Sequence, residues 1–324
     1  MNINSNYIIT AIGSYLPERK LTNFDFEKMV DTSDEWIIKR TGIHTKFISA
    51  DNEFASDLGI KAVQNLMDNY PVTLKDIDMI IATVFVYDHL TPSVSAIVAE
   101  HFGINMAGTY DLHAESSSFA YGLITANAYI ASGQAKKVLL VTAETPSKEL
   151  DHTDPGTCIL FGGGATATLI EKNTSPKKFV SNFRTDGNLA DKVYCTQFSS
   201  AIKRSKFEKE HFIQQDDRAL YAYVVKNISN YIKCLLDEAG LTTSDIDWFI
   251  PHSANLRMIE ALRERLEFDE TKMLTSVEQC GNTSSSIPLA IILALKDGRI
   301  KRGDKILIYG FGEGITYAGA IIEW

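Results

Sequence analysis

Two stretches of this chain carry the same succession of hydrophobic patterns. Asp57–Asn69 and Tyr221–Ala239 place apolar residues at helical spacing. Each is followed by a turn with an Asp-Ile-Asp core, in Thr73–Ile81 (TLKDIDMII) and Thr243–Ile250 (TSDIDWFI), whose apolar end predicts a strand. Further on, Ser117–Gly133 (SSFAYGLITANAYIASG) and Ser285–Gly298 (SSIPLAIILALKDG) again show helical spacing and end on glycine, a common helix stop. Lys137–Thr142 (KVLLVT) and Lys305–Tyr309 (KILIY) then read as buried strands. Helix, strand, helix, strand thus recurs with a shift of roughly 165–170 residues.

Alternating elements of this kind predict an α/β fold with mainly parallel strands and helices packed on them. The two later helices are poor in charge around their whole circumference, so both belong between layers. Two buried helices flanked by two sheets make a five-layer αβαβα arrangement with two pseudo-twofold-related halves. The expected division is 1–171 for the N-terminal half and 172–324 for the C-terminal half. Glu18–Ala50 and Ser175–Phe212 have no repeat partner and read as insertions, the kind of segment that builds binding surfaces.

Composition narrows the setting. The chain has 324 residues, with 45% hydrophobic and 23% charged, an ordinary globular balance. A net charge of −9 argues against nucleic acid or an anionic membrane surface as partner. Met1–Tyr7 is polar and lacks the features of a signal peptide, and no apolar run approaches the roughly 18 residues of a membrane span. Cys158, Cys195, Cys234 and Cys280 show no metal-type spacing. A reduced, cytoplasmic setting without disulfides or structural metal is expected.

Four segments carry candidate chemistry. Ser116, in Asp111-Leu-His-Ala-Glu-Ser-Ser-Ser-Phe119, opens the first buried helix, where unpaired N–H groups favour a developing anion. On this segment alone, helix capping is the favoured explanation of a serine there. His252, in Ile250-Pro-His-Ser-Ala-Asn-Leu-Arg257, follows a strand and precedes a helix, a place where α/β sheets put reactive groups. Asn282, in Cys280-Gly-Asn-Thr-Ser-Ser-Ser-Ile-Pro288, is the repeat equivalent of the Ser116 region, so a pseudo-twofold core brings the two helix starts together. The glycines of Gly310-Phe-Gly-Glu-Gly314 and Phe161-Gly-Gly-Gly-Ala165 permit close backbone approach, without a clear phosphate-binding signature.

Together these segments resemble β-ketoacyl-acyl-carrier-protein synthase III, a thiolase-fold condensing enzyme, from about Tyr7 to Trp324. The most specific parts are Thr32-Ser-Asp-Glu-Trp-Ile-Ile-Lys-Arg-Thr-Gly-Ile43, Pro251-His-Ser-Ala-Asn-Leu-Arg257 and Gly281-Asn-Thr-Ser284. The resemblance implies a homodimer and a nucleophile at position 116 flanked by His252 and Asn282. It implies an oxyanion hole from the backbone N–H groups of Ser116 and Glu313. Trp36 and Arg40 match positions that contact coenzyme A, Arg257 a basic position near the carrier-protein docking face, and Phe311 an active-site aromatic. The implied chemistry is acyl transfer from acyl-coenzyme A or acyl carrier protein, then decarboxylative Claisen condensation with a malonyl thioester, with no permanently bound cofactor. In this family a cysteine takes the acyl group, and neutral His and Asn donors stabilise the enolate.

The chain departs from that pattern at telling places. Position 116 is Ser, whose hydroxyl needs a base such as His252. Glu115 stands where the family has a small residue, Ser118 and Glu313 where it has glycine, and Pro155 where it has an adenine-stacking arginine. Thr91, on a loop expected to cross the dimer interface, is smaller than the phenylalanine of acetyl-selective members and leaves room for a longer or branched acyl group. Three explanations fit Ser116: a cysteine exchanged to stop turnover, a natural serine enzyme, or a catalytically silent partner subunit. A specialised condensing or acyl-transfer enzyme of fatty-acid-like or secondary (polyketide) biosynthesis is the expected role, with an acyl-serine hydrolase as a further alternative.

Overall fold

The computed structural model describes residues 2–197, 199, 201–202, 205–206 and 210–324. Part of the Ser175–Phe212 insertion therefore lies outside the described residues. An eight-stranded sheet organises the chain, seven of its strands in the order Trp248–Pro251, Lys305–Gly312, Thr316–Glu323, Gly164–Thr185, Lys137–Glu144, Met79–Thr83, Gly108–Leu112. Asn2–Tyr15 pairs along the back of Gly164–Thr185.

Gly164–Thr185 is the element that joins the halves. Its 22 residues pair at one end with Lys137–Glu144 and at the other with Thr316–Glu323. The division at 171/172 falls inside this continuous strand. The expectation of mainly parallel pairing is corrected. Met79–Thr83 runs parallel to Gly108–Leu112 and to Lys137–Glu144, and Trp248–Pro251 parallel to Lys305–Gly312, but the remaining pairs of this sheet are antiparallel. The reason is local: Lys305–Gly312 is followed after a three-residue turn by Thr316–Glu323, and so short a connection returns the chain antiparallel.

The layers follow from where apolar residues sit. One core packs the Ala55–Asn69 and Val94–His101 helices on the first-half strands, through Leu58, Val63 and Val98. A central core holds the buried helices Ser118–Ala131 and Ile287–Lys296, through Phe119, Leu123, Ile287 and Ile291. A third packs Ser229–Ala239 and Leu256–Leu266 on the second-half strands, through Ile232, Leu235 and Leu262. Burying a side chain of this size stabilises by about 1.5–3 kcal/mol, so these three apolar layers dominate what holds the fold together. The second-half outer helix is interrupted: Asp217–Tyr223 passes through a π turn at Val224–Ile228 before Ser229–Ala239. Among the described residues, no helix is long and apolar enough to cross a membrane.

Candidate active site

Both central helices begin at the same cavity. Ser116 sits in a 3₁₀ turn, Glu115–Ser117, between the strand Gly108–Leu112 and the helix Ser118–Ala131. The local side chain–backbone bonds of this turn belong to its neighbours: Ser117 Oγ donates to the Ala114 carbonyl at 2.6 Å, and Ser118 Oγ accepts the Ala114 N–H at 2.9 Å. Ser116 instead lines the cavity and is 2% exposed. Glu115 enters the turn with φ of 48°, a left-handed conformation that costs a non-glycine residue about 1–2 kcal/mol.

The glycines around the site are there for backbone contact. A Cβ on Gly310 would lie 2.7 Å from Ser117 Cα, and one on Gly312 would lie 2.8 Å from the Ser116 nitrogen. The Gly310–Gly314 string therefore backs onto the Ser116 turn. A Cβ on Gly162 would lie 2.4 Å from the Cys280 carbonyl, so the other glycine run makes room for the chain entering Asn282.

His252 and Asn282 face Ser116 across a cavity of about 20 Å³ that Phe161, Phe311 and Glu313 also line. His252 follows the strand Trp248–Pro251, and its N–H donates to the Tyr309 carbonyl at 2.8 Å. Its Nδ1 lies 3.0 Å from Ser286 Oγ, which also accepts the Ser253 N–H at 2.8 Å. Phe311 packs edge-on against the ring, with centroids 5.3 Å apart. Burial pushes the His252 pKa down to about 3, against a smaller opposing effect of a backbone group at Ser284. His252 is therefore neutral at pH 7: a hydrogen-bonding group, and a weak proton acceptor. Asn282 is held through its backbone, N–H to the Leu160 carbonyl at 2.9 Å and carbonyl to the Gly162 N–H at 2.8 Å. Its Oδ1 accepts the Ser284 N–H at 3.0 Å, leaving the amide NH₂ as the available donor.

The Ser116 side of the cavity is acidic. Glu313 lines both the reaction cavity and a neighbouring one of about 480 Å³ bordered by Tyr87, His113, Glu115, Glu149 and Cys195. Burial, then the nearby Glu115 carboxylate, pushes the Glu313 pKa up to about 7, while the N–H groups of Glu313 and Ser116 oppose the rise. The two donors expected to form an oxyanion hole thus also favour the charged form of the protein's own carboxyl. Oε2 of Glu313 and Oε2 of Glu115 are shut off from solvent without a hydrogen-bond partner. The other Glu115 oxygen lies 2.8 Å from His113 Nε2. That bond, more than the burial opposing it, raises the His113 pKa. His113 Nδ1 lies 2.8 Å from the Tyr87 hydroxyl.

The remaining expected residues separate into two places. Arg40 and Arg257 line one surface cavity of about 580 Å³ together with Asp217, Arg218 and Tyr221. Trp36 is 46% exposed on the same helix as Arg40, Asp34–Thr41, and the guanidinium carbon of Arg40 stands 5.7 Å from its ring centroid. Thr91 lies exposed on the loop before Val94–His101 and lines neither the reaction cavity nor its acidic neighbour. Reasoning from sequence missed His113, Phe161 and Arg218. His113 lies within the segment that singles out Ser116, and its pairing with Glu115 depends on the left-handed turn. Phe161 heads the glycine run noted for close backbone approach, where the glycines drew the attention, and no spacing or motif marks Arg218.

Comparison with known proteins places this geometry. Residues 110–187 match the family model 3-oxoacyl-[acyl-carrier-protein (ACP)] synthase III, and residues 236–324 match its C-terminal model. β-Ketoacyl-[acyl-carrier-protein] synthase III 2 of Halalkalibacterium halodurans is 46% identical, over 100% of this chain and 98% of that protein. The crystal structure of β-ketoacyl-[acyl carrier protein] synthase III from Thermus thermophilus superimposes with a TM-score of 0.93 at 37% identity, covering 98% of both chains. The priming β-ketosynthase of the R1128 polyketide pathway superimposes with a TM-score of 0.89 at 28% identity, covering 99% of this chain and 97% of that one. Sequence, fold and the two-helix cavity agree: the chain belongs to the 3-oxoacyl-[acyl-carrier-protein] synthase III family.

Proposed function

We propose that this protein transfers an acyl group from a thioester to Ser116 and condenses it with a malonyl-type thioester. The observation that carries this reading is the meeting of Ser116, His252 and Asn282 at one cavity where two buried helices begin. Neutral His252 and the Asn282 amide are suited to stabilise an enolate oxygen formed on decarboxylation. The N–H groups of Ser116 and Glu313 are suited to hold the carbonyl oxygen during acyl transfer. The cavity bearing Arg40, Arg218 and Arg257 fits the phosphates of coenzyme A or of a carrier protein's prosthetic arm, and homodimerisation would bring a partner loop bearing Thr91 to the acyl end. The similarity to fatty-acid and polyketide-priming synthases supports either pathway.

Intact-mass measurement after mixing with acyl-coenzyme A or acyl carrier protein tests the reading. A covalent adduct that disappears in Ser116→Ala is expected. Ser116→Cys should raise condensation with a malonyl thioester, because a few per cent of a free cysteine is already thiolate at pH 7. No adduct on either the native chain or Ser116→Cys would favour the silent-partner reading, and rapid release of free acid without acceptor would favour a hydrolase.

A further inference from the structure

The serine poses a chemical problem that the family machinery does not solve. A hydroxyl must give up its proton as it attacks a thioester, and the helix N-terminus alone does not ionise it. His252 is a poor recipient, since its burial disfavours the charged ring. Another ionisable group at the same cavity is available. Glu313 lines it together with Ser116, and the Ser116 N–H is one of the groups that favour its charged form. A carboxyl and a serine hydroxyl that border one cavity of about 20 Å³ are close enough for side-chain rotation to bring them together. The placement is enforced by backbone, because Gly312 abuts the Ser116 nitrogen with no room for a side chain.

We propose that Glu313 is the proton acceptor for the Ser116 hydroxyl during acyl transfer. This rests on Ser116 being the acyl-attachment point. Ser116 Oγ attacks the thioester carbonyl carbon and forms the C–O bond. The carbonyl oxygen takes the negative charge against the N–H groups of Ser116 and Glu313, and the Oγ proton passes to the Glu313 carboxylate. The C–S bond then breaks, and the departing thiolate takes that proton and leaves as a thiol. Glu313 ends in the form in which it began.

Substrate binding strengthens the base in this scheme. In the free protein the two N–H groups oppose the rise in Glu313 proton affinity. A thioester oxygen that takes those donors removes this stabilisation of the carboxylate, which is left beside Glu115 in a buried setting. Its proton affinity rises when the Ser116 proton must move. The groups facing it are accounted for. Glu115 is bonded to His113. Cys195 is held as a thiol, its pKa raised to about 12 by burial and then by Glu149. Tyr87 is raised to about 12 by burial and then by Asp111. His252, lining the same cavity, stands uncharged.

Rapid-quench mass spectrometry of acyl loading from acetyl- and isobutyryl-coenzyme A tests this on the full chain. At subsaturating thioester the native loading rate should rise with pH through about 7, tracking ionisation of Glu313 in the free protein. Glu313→Gln should load more slowly by on the order of 10²-fold or more, lose that pH dependence and keep its KM. Glu313→Asp, with a carboxylate one methylene shorter, should recover part of the rate. Equal or faster loading by Glu313→Gln with an unchanged pH profile overturns the proposal, because the carboxyl would then only plug the oxyanion donors. If the native chain takes no acyl group, or Ser116→Ala still takes one, the attachment reading itself fails. Circular dichroism and melting of both Glu313 variants separate these outcomes from misfolding.

Discussion

The two helix starts that meet at the cavity are built from the same repeat and have diverged in charge. On the Asn282 side the site is made of neutral groups. His252 is uncharged and held by Ser286, Asn282 is tied at its backbone and at Oδ1, and the buried atoms left without partners are hydroxyls such as those of Thr283 and Ser284. On the Ser116 side the unpartnered atoms are carboxyl oxygens, Glu115 Oε2 and Glu313 Oε2. An unpaired hydroxyl costs a small desolvation penalty, an unpaired carboxylate a much larger one, so the acidic side stores cost that the neutral side does not. The carboxylates stand beside Ser116, and all three residues are departures from the pattern expected of the family. Under the proposed function the contrast would give the halves different work: proton movement at Ser116, enolate stabilisation at His252 and Asn282.

The sharpest way to break this contrast is to disable one side and watch the other. Asn282→Ala removes an amide donor and leaves the acidic side untouched. Condensation with a malonyl thioester should fall by on the order of 10²–10³-fold, while acyl loading of Ser116 stays near the native rate. Single-turnover loading and steady-state condensation measured on the same sample decide it. Equal losses in both steps would merge the two sides into one machine. A lost Asn282–Ser284 bond lowers stability by about 1 kcal/mol, too little to unfold a domain of this size.

What could be read from sequence follows the same line. The duplicated helix–strand order was legible because buried elements must be apolar on the faces they pack, and both Ser118–Ala131 and Ile287–Lys296 are apolar nearly all round. Strand direction was not legible, because the antiparallel returns depend on connection length and on one long strand, Gly164–Thr185, serving both halves. The meeting of Ser116, His252 and Asn282 could be anticipated from the repeat and the family resemblance. The His113–Glu115–Glu313 cluster could not. Its members come from two distant segments, and the two acids read singly as departures from a glycine and a small residue. Only the close approach of Gly312 to the Ser116 turn makes them neighbours.

A smaller effect tests whether the acidic side really stores a cost. The Glu313 carboxyl has an ordinary value of 4.5 and is raised to about 7 in the folded protein. The folded state therefore holds its proton more tightly than the unfolded one between those values. Stability contributed by this group falls as pH rises from about 4.5, and the full penalty stands above about 7. Its size is on the order of 1–3 kcal/mol. Glu313→Gln cannot ionise, so the difference in melting temperature, variant minus native, should grow in the variant's favour across that window. Melts at pH 5, 6, 7 and 8 read the difference. A gap that stays constant with pH would place the Glu313 carboxyl in water, with no stored cost.

The finest distinction is between the two causes of that raised proton affinity. Burial is the larger and the Glu115 charge the smaller. Glu115→Gln keeps the side-chain length and the same left-handed backbone at φ 48°, so it removes the charge without changing the turn. The midpoint of Ser116 loading against pH should move to lower pH, because a carboxyl relieved of a neighbouring anion ionises more readily. The shift should be smaller than the total displacement of Glu313 from its ordinary value, since burial remains. His113 should lose its raised proton affinity in the same variant, because the Glu115 bond is the leading cause of it. Histidine ring signals followed by NMR against pH report that change independently of activity. If the His113 signals shift and the loading midpoint does not, the two carboxyls are not coupled through the Ser116 turn. The pH dependence of loading would then belong to another group at the acidic side, with His113 itself the first to replace.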